Sequence, residues 1–171
     1  YNPKRRRRVA VDPYSVPLTE LVNQFHLEVL FAATDYARIR LTVADVARPG
    51  MQLAGYFEHF EPMRLQVLGN VEMSYLEKLT PQDRYAVFDR LFMYKFPAIL
   101  VARGKDPHPQ CMEMAKKHNV SILRSQESTS SIVSAIIAYL TAALAPRIIR
   151  HGVLMEVYGE GLLLIGDSGI G

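Results

Sequence analysis

The spacing of apolar positions in the N-terminal part of the chain predicts one helix and three short strands. Residues 17–25 place their apolar side chains on one face of a helix, and residues 27–31 are typical of a strand. Apolar residues alternate with polar ones over residues 37–44, which predicts a second strand that ends before an Arg-Pro-Gly break. Residues 49–70 are rich in loop-forming residues, although residues 64–68 within them have the composition of a strand.

The middle of the chain alternates between helical and strand patterns. Four helices are predicted. The first covers residues 73–79, and the second begins at Thr80 and has an apolar stripe that ends at Phe92. The third covers residues 109–118, and the fourth runs from Ser128 or Thr129 to Ala145. Buried strands are predicted over residues 97–102 and 120–123. A cap residue begins the second and fourth of these helices, and Pro81 suits the first helical position. We therefore predict an α/β fold, with a small mixed sheet flanked by helices.

Charge is distributed unevenly along the 171 residues. The chain has 20 Lys and Arg against 17 Asp and Glu, but five of the basic residues lie at positions 4–8, so the remainder is slightly acidic. No broad basic face for nucleic acid is expected, and no apolar run reaches the roughly 20 residues that a membrane span requires. The single cysteine excludes an internal disulfide and fits a cytoplasmic protein. We expect residues 1–14 to be a disordered or cloning-derived basic tail, and residues 15–146 to form one domain.

The C-terminal segment, residues 147–171, has a different pattern and is expected to begin a second domain. Residues 151–158 and 161–165 are typical of two strands joined by a tight turn at residues 159–161. The second strand leads into Gly166, Asp167, Ser168, Gly169, Ile170 and Gly171, which match the first six positions of the phosphate-binding motif G-x-x-x-x-G-K-[ST]. Glycines let successive backbone N–H groups face a phosphate, but the lysine and hydroxyl of the motif would be the next two residues. An isolated hexapeptide of this kind is more often a simple glycine-rich turn.

Four segments together resemble one protein family. These are RPGMQLAGYF at residues 48–57, QVLGNVEMSYL at residues 66–76, LAP at residues 144–146, and the run from His151 through the glycine-rich residues 166–171. They are similar to the HPr kinase/phosphorylases, bacterial enzymes that control sugar uptake and carbon metabolism. The resemblance covers residues 17–171, so that residues 147–171 would be the start of a P-loop kinase domain.

The resemblance implies an activity and a set of site residues. The family transfers phosphate from ATP or pyrophosphate to a serine of the carrier protein HPr and removes it with inorganic phosphate, as a homo-oligomer that is a hexamer. It implies a catalytic role for His151, binding of ATP and Mg²⁺ at a loop that begins with Gly166–Gly171, and no metal ligand within this chain. The chain alone is expected to be inactive.

Two other classes of function remain open at the level of sequence. The chain could be a regulatory or assembly module attached to a different P-loop NTPase. It could also be an acyl- or nucleotide-binding domain in which the glycines form only a turn. A ligand site among the hydroxyls of residues 125–131 is a further hypothesis, although helix capping accounts for Ser128 and Thr129.

Other side chains receive structural interpretations. Cys111 is expected to be packed on a helix, and Glu58, Glu61 and Glu72 are expected to be solvated. The histidines at positions 26, 59, 108 and 118 lack the spacing of a zinc site. The aromatic cluster of Tyr56, Phe57 and Phe60, with Met51 and Met63, is expected to pack in the core, with an oligomer contact as the second interpretation.

Overall fold

The computed structural model describes residues 14–146 and 152–165, and nine strands and six α-helices lie within them. The strands are β1 (Val16–Pro17), β2 (Glu28–Phe31), β3 (Arg40–Leu41), β4 (Val46–Ala47), β5 (Leu65–Leu68), β6 (Ala98–Val101), β7 (Ser121–Arg124), β8 (Gly152–Val157) and β9 (Glu160–Ile165). The helices are α1 (Leu18–Gln24), α2 (Gly50–Leu53), α3 (Asn70–Glu77), α4 (Pro81–Phe92), α5 (Pro109–His118) and α6 (Thr129–Ala143). The predicted α/β class with a small mixed sheet is confirmed.

The main sheet has five strands in the order β2-β7-β6-β5-β4. Strands β4, β5, β6 and β7 are parallel, and β2 pairs antiparallel with β7 at one edge. From β4 to β7 the parallel strands follow one another in chain order across the sheet, so this part of the chain does not reverse its direction of winding. A separate antiparallel pair joins β1 to β3, and β8 and β9 form a hairpin.

Alternate residues of the central strands enter two different apolar layers. Residues such as Val67, Leu100 and Leu123 pack with helices α1 and α6 on one face of the sheet. Their neighbours Leu68 and Val101 pack with α2, α3, α4 and α5 on the other face. All four residues of β5 and all four of β6 are buried, because helices cover both faces, as parallel sheets require.

Helix boundaries follow the caps that the sequence predicts. The Thr80 hydroxyl accepts a hydrogen bond from the Asp83 N–H at 3.2 Å, and Pro81 is the first residue of α4. The Ser128 hydroxyl accepts from the Ser131 N–H at 3.2 Å and is the cap of α6, which decides between the two predicted candidates. Helix α5 ends at a left-handed residue, Asn119, with φ of 57°.

Two parts of the local prediction are wrong. Residues 37–44 do not form one strand: a 3-10 turn covers Tyr36–Arg38, and only Arg40–Leu41 pair, with β1. Pro17 in β1 has no N–H to donate, which limits that ladder to two residues on each strand. The loop-rich segment of residues 49–70 contains helix α2, and strand β4 lies just before it, where no strand was predicted. Both elements are too short to have a periodic signature.

The predicted aromatic cluster is only partly in the core. Phe57 and Phe60 are partly buried and pack against the layer of α2–α5. Phe57 stacks on Tyr94 at a centroid distance of 4.9 Å, and the guanidinium carbon of Arg90 lies 4.6 Å from the Phe57 ring centroid in a cation–π contact. The other three members, Tyr56, Met51 and Met63, are exposed.

Candidate functional site

The hairpin of β8 and β9 is the described part of the predicted nucleotide-binding region. Its ladder runs in register from Gly152 opposite Ile165 to Val157 opposite Glu160. The turn therefore consists of Tyr158 and Gly159, with φ of 54° and 81°. Positive φ at both central residues is typical of a type I′ hairpin turn. The predicted turn at residues 159–161 is wrong, because Glu160 and Gly161 belong to β9 and pair with β8.

Apolar side chains of the hairpin are exposed on both of its faces. Val153, Leu154 and Met155 are consecutive, so they point alternately to opposite faces, and all three are exposed. A strand with apolar residues on both faces is typical of a sheet that is covered on both sides. The pattern therefore indicates a strand pair built for the interior of a larger sheet.

The predicted catalytic and phosphate-binding residues lie outside the described residues. His151 directly precedes Gly152 in the chain, and Gly166 directly follows Ile165. Gly152 and Ile165 are partners in the ladder at the open end of the hairpin. The described geometry thus supplies the strand that the motif Gly166–Gly171 requires ahead of it, and it places the covalent neighbours of His151 and Gly166 opposite each other.

An ion pair between a buried glutamate and an exposed arginine, which the sequence did not predict, lies where the parallel strands end. Glu72 is only 4% exposed and forms a salt bridge with Arg48 at 2.8 Å. The same carboxylate oxygen, Oε2, accepts the backbone N–H of Gly69 at 2.9 Å. Glu72 therefore links the residue after β4 to the start of α3, and its expected solvation is wrong. The Thr129 hydroxyl nearby is buried and has no partner among the described residues.

The hydroxyl-rich segment of residues 125–131 serves the backbone. Ser125 is buried, and its hydroxyl accepts the Glu127 N–H at 3.2 Å, while Ser128 caps α6. Ligand sites in open α/β sheets lie where the strand order reverses, and strands β4 to β7 contain no such reversal. Backbone hydrogen bonds therefore account for the hydroxyls of Ser125 and Ser128, whereas that of Thr129 has no such bond among the described residues.

The remaining candidate side chains have structural surroundings. Cys111 is fully buried on α5, and burial raises the pKa of its thiol, so the thiolate that a nucleophile needs is disfavoured. No group of three or more His, Cys, Asp and Glu within residues 14–146 and 152–165 could hold a metal ion. In the same ranges, no helix combines the length and the apolar character needed to cross a membrane.

Comparison with known proteins places this arrangement in a family. A family model described as "HPr Serine kinase N terminus" matches residues 16–140. Proteins named HPr kinase/phosphorylase from Streptococcus thermophilus and Lachnoclostridium phytofermentans are each 40% identical, over 157 and 158 residues that are 92% of this chain and 51% of each relative. The protein of that name from Caldicellulosiruptor bescii is 37% identical over 152 residues, 89% of this chain and 49% of the relative. The chain thus spans about half the length of the curated relatives that it matches.

The fold also occurs outside these relatives. A structure of the CBS and DRTGG domains from the regulatory region of a Clostridium perfringens pyrophosphatase, complexed with its activator diadenosine tetraphosphate, aligns with a TM-score of 0.51 at 15% identity. The alignment covers 70% of this chain and 45% of that chain, and at this identity it shows a shared fold alone. By fold class, residues 14–146 are a mixed α/β domain, whose main sheet has four parallel strands and one antiparallel edge strand. The chain belongs to the HPr serine kinase N-terminal family.

Proposed function

We propose that the chain is the N-terminal half of an HPr kinase/phosphorylase, an enzyme that phosphorylates a serine of HPr at the expense of ATP and removes that phosphate again. The proposal is supported by the family match, by the names of relatives that are about 40% identical over 92% of the chain, and by strand β9 leading to Gly166. Of these, the observation that carries the mechanism is the strand, because a phosphate-binding loop needs one directly before it.

The role in the reaction that we assign to this chain is to bind the phosphate groups of ATP. Backbone N–H groups of Gly166–Gly171 would line one side of a bound ATP, and Mg²⁺ with the remaining kinase residues would neutralise charge on the transferred group. His151, one residue before the start of β8, would donate a hydrogen bond to a phosphate oxygen or orient the catalytic carboxylate. Phosphoryl transfer depends mainly on such positioning and charge placement.

The partners and compartment follow from the same assignment. HPr is the protein substrate, and the parent enzyme is a homo-oligomer, with a hexamer as the specific form that we propose. The cytoplasm is the compartment that we infer, since one buried cysteine is typical of proteins from reducing surroundings.

The test is a phosphoryl-transfer assay on the full-length parent enzyme with HPr, in both directions. We expect His151→Ala to lower both rates about 100-fold or more, the usual contribution of a general acid–base residue. His59→Asn is the matched control, because His59 is exposed and its positive φ of 59° suits asparagine. Unchanged rates for His151→Ala would remove His151 from the mechanism.

The same assay, with ATP hydrolysis measured beside it, distinguishes this function from that of a module of another P-loop NTPase. If the parent hydrolyses ATP but transfers no phosphate to HPr, then residues 14–146 are a regulatory or assembly module of another P-loop NTPase. Absence of nucleotide binding by the full-length protein would instead contradict a phosphate-binding role for Gly166–Gly171.

A further inference from the structure

A cavity of about 320 Å³ lies at the edge of the main sheet where β5, β6 and β7 begin. Its apolar lining includes Ile39, Met63, Phe96 and Val120, and the last two are buried at 3% exposure, so they form its floor. This volume lies at the lower end of the range for small-molecule sites, which are largely apolar with a few fixed polar groups. It faces away from the strand ends that carry Glu72 and Arg48, so it is separate from the ion pair described above.

The polar rim of the cavity is fixed by contacts outside it. Asn119 accepts the Thr34 N–H at 2.8 Å and donates to the Thr34 hydroxyl at 2.9 Å, which ties the segment after β2 to the end of α5. Arg40 donates from Nε to the Ser15 hydroxyl at 2.6 Å and from Nη2 to the Ser15 carbonyl at 2.8 Å. These bonds fix the positions of the Asn119 and Arg40 side chains at the rim.

Two cationic groups at the rim have unused donors. The Nη1 group of Arg40 has no hydrogen-bond partner among the described residues, since both bonds to Ser15 come from Nε and Nη2. The Lys95 ammonium also has no hydrogen-bond or ion-pair partner within the described part of the chain. Lys95 lies just beyond α4 in the left-handed region, with φ of 47°, where the chain turns from the helix toward β6.

One anionic group lines the cavity and a second lies beside it. Asp35, which lines it, accepts from the Asn119 side chain at 3.3 Å. Asp89 lies 2.7 Å from the Lys117 ammonium and 2.6 Å from Nε2 of His118, and these two contacts, Lys117 first, lower the pKa of its carboxyl. The rim therefore carries two cations with unused donors, Arg40 and Lys95, against the single carboxylate of Asp35. This balance of charge favours a carboxylate or a phosphate.

We propose that this cavity is a binding site for a small organic anion, with its carboxylate or phosphate against Lys95 and Arg40 and its apolar body against Met63 and Phe96. Apolar contact with the floor supplies affinity in proportion to the area removed from water. The two cations, one fixed in orientation and one on a flexible stem, supply the selectivity for charge. The site is independent of the nucleotide-binding proposal, because it uses no residue of the hairpin.

The experiment is an NMR titration of the whole chain with four matched probes. Benzoate and phenyl phosphate carry an anion on a ring, benzamide is the neutral analogue, and inorganic phosphate lacks the apolar body. We expect saturable shifts of the Met63 and Val120 methyl signals with benzoate or phenyl phosphate, and at least tenfold weaker binding of benzamide and inorganic phosphate. The stronger of the two anionic probes identifies which anion the site prefers.

Substitutions at the rim test whether Lys95 and Arg40 bind the anionic probe. We expect Lys95→Gln to weaken the anionic probe at least fivefold, and the double variant with Arg40→Gln to weaken it further. Lys78→Gln, an exposed lysine at the end of α3, is the control and should bind as the parent chain does. Equal binding of benzamide, unchanged affinity in Lys95→Gln, or the absence of shifts at Met63 and Val120 would each overturn the proposal. Retained amide dispersion in Lys95→Gln separates loss of the site from loss of the fold.

Discussion

Arg48 and Glu72, which are distant in the sequence, form an ion pair in which one partner is buried and the other is not. The Arg48 side chain is 44% exposed, whereas that of Glu72 is 4% exposed and also accepts the Gly69 N–H. The two residues are therefore not equivalent. Loss of Arg48 leaves a buried carboxylate with one remaining donor, and loss of Glu72 removes a bond to the backbone as well as the pair.

The asymmetry predicts different costs for the two substitutions. We expect Glu72→Ala to lower the free energy of unfolding by about 2–3 kcal/mol, because it leaves the buried Gly69 N–H unpaired. Arg48→Met should cost about 1–2 kcal/mol, less than the loss of a partner in a fully buried pair, since water reaches Arg48. Urea unfolding of each variant measures these values. The exposed Glu77→Ala on the same helix is the control, and equal losses at positions 72 and 77 would contradict the burial argument.

The contact between Thr129 and Gly69 gives a second prediction. A Cβ at position 69 would lie 2.7 Å from the Thr129 hydroxyl and 2.8 Å from its methyl carbon, so the starts of α3 and α6 meet only because residue 69 is glycine. We expect Gly69→Ala to destabilise the domain by about 1–3 kcal/mol through overpacking.

The Thr129 hydroxyl in this contact is buried without a hydrogen-bond partner among the described residues, and its removal gives a further prediction. Thr129→Val keeps the shape of the side chain and removes an unpaired oxygen, so it should be neutral or stabilising by about 1 kcal/mol. Chemical denaturation of the two single variants and the double variant checks both effects. A clear loss of stability in Thr129→Val would show that the hydroxyl has a bound partner.

The sequence predicted those features that depend on neighbouring residues and missed those that depend on distant ones. Thr80 and Ser128 cap their helices through bonds to residues three positions away, so their roles were visible locally. Strand β4 exists because Val46 and Ala47 pair with Leu65 and Gln66, which two residues cannot reveal on their own. The ion pair of Glu72 with Arg48 likewise joins residues 24 positions apart, which no local pattern connects. For the predicted phosphate-binding loop, the entering strand is confirmed, while His151 and Gly166–Gly171 stay predictions.

His108 provides a test of pH dependence. Burial lowers the pKa of His108, and the Arg84 cation, whose Nη1 lies 3.5 Å from the imidazole Nδ1, lowers it further. Because the folded state binds this proton less readily, the unfolded state takes up the proton first as the pH falls below about 6.5. The stability associated with neutral His108 is therefore complete above that pH and decreases below it.

We expect His108→Gln to flatten the dependence of stability on pH between about pH 7 and pH 5, an interval set by the ordinary histidine pKa. Thermal or urea unfolding at several pH values measures the slope for each protein. His59→Asn replaces an exposed histidine and should keep the slope of the parent chain. A slope that is the same in His108→Gln and the parent chain would remove His108 as its source.

The turn of the terminal hairpin gives the last prediction. Tyr158 has φ of 54° and a fully exposed ring, so its side chain contributes no packing to offset the strain of a left-handed conformation. Asparagine adopts this conformation more readily, and Asn-Gly is the preferred pair for a type I′ turn. We expect Tyr158→Asn to slow amide hydrogen exchange across the ladder from Val153 to Leu164, by an amount that corresponds to about 0.5–1 kcal/mol. Gly159→Ala, which introduces a Cβ at φ of 81°, should accelerate exchange at the same amides without affecting those of β6. If the two variants changed exchange in the same direction, the turn would not be of this type, and the register that leads β9 to Gly166 would have to be reassigned.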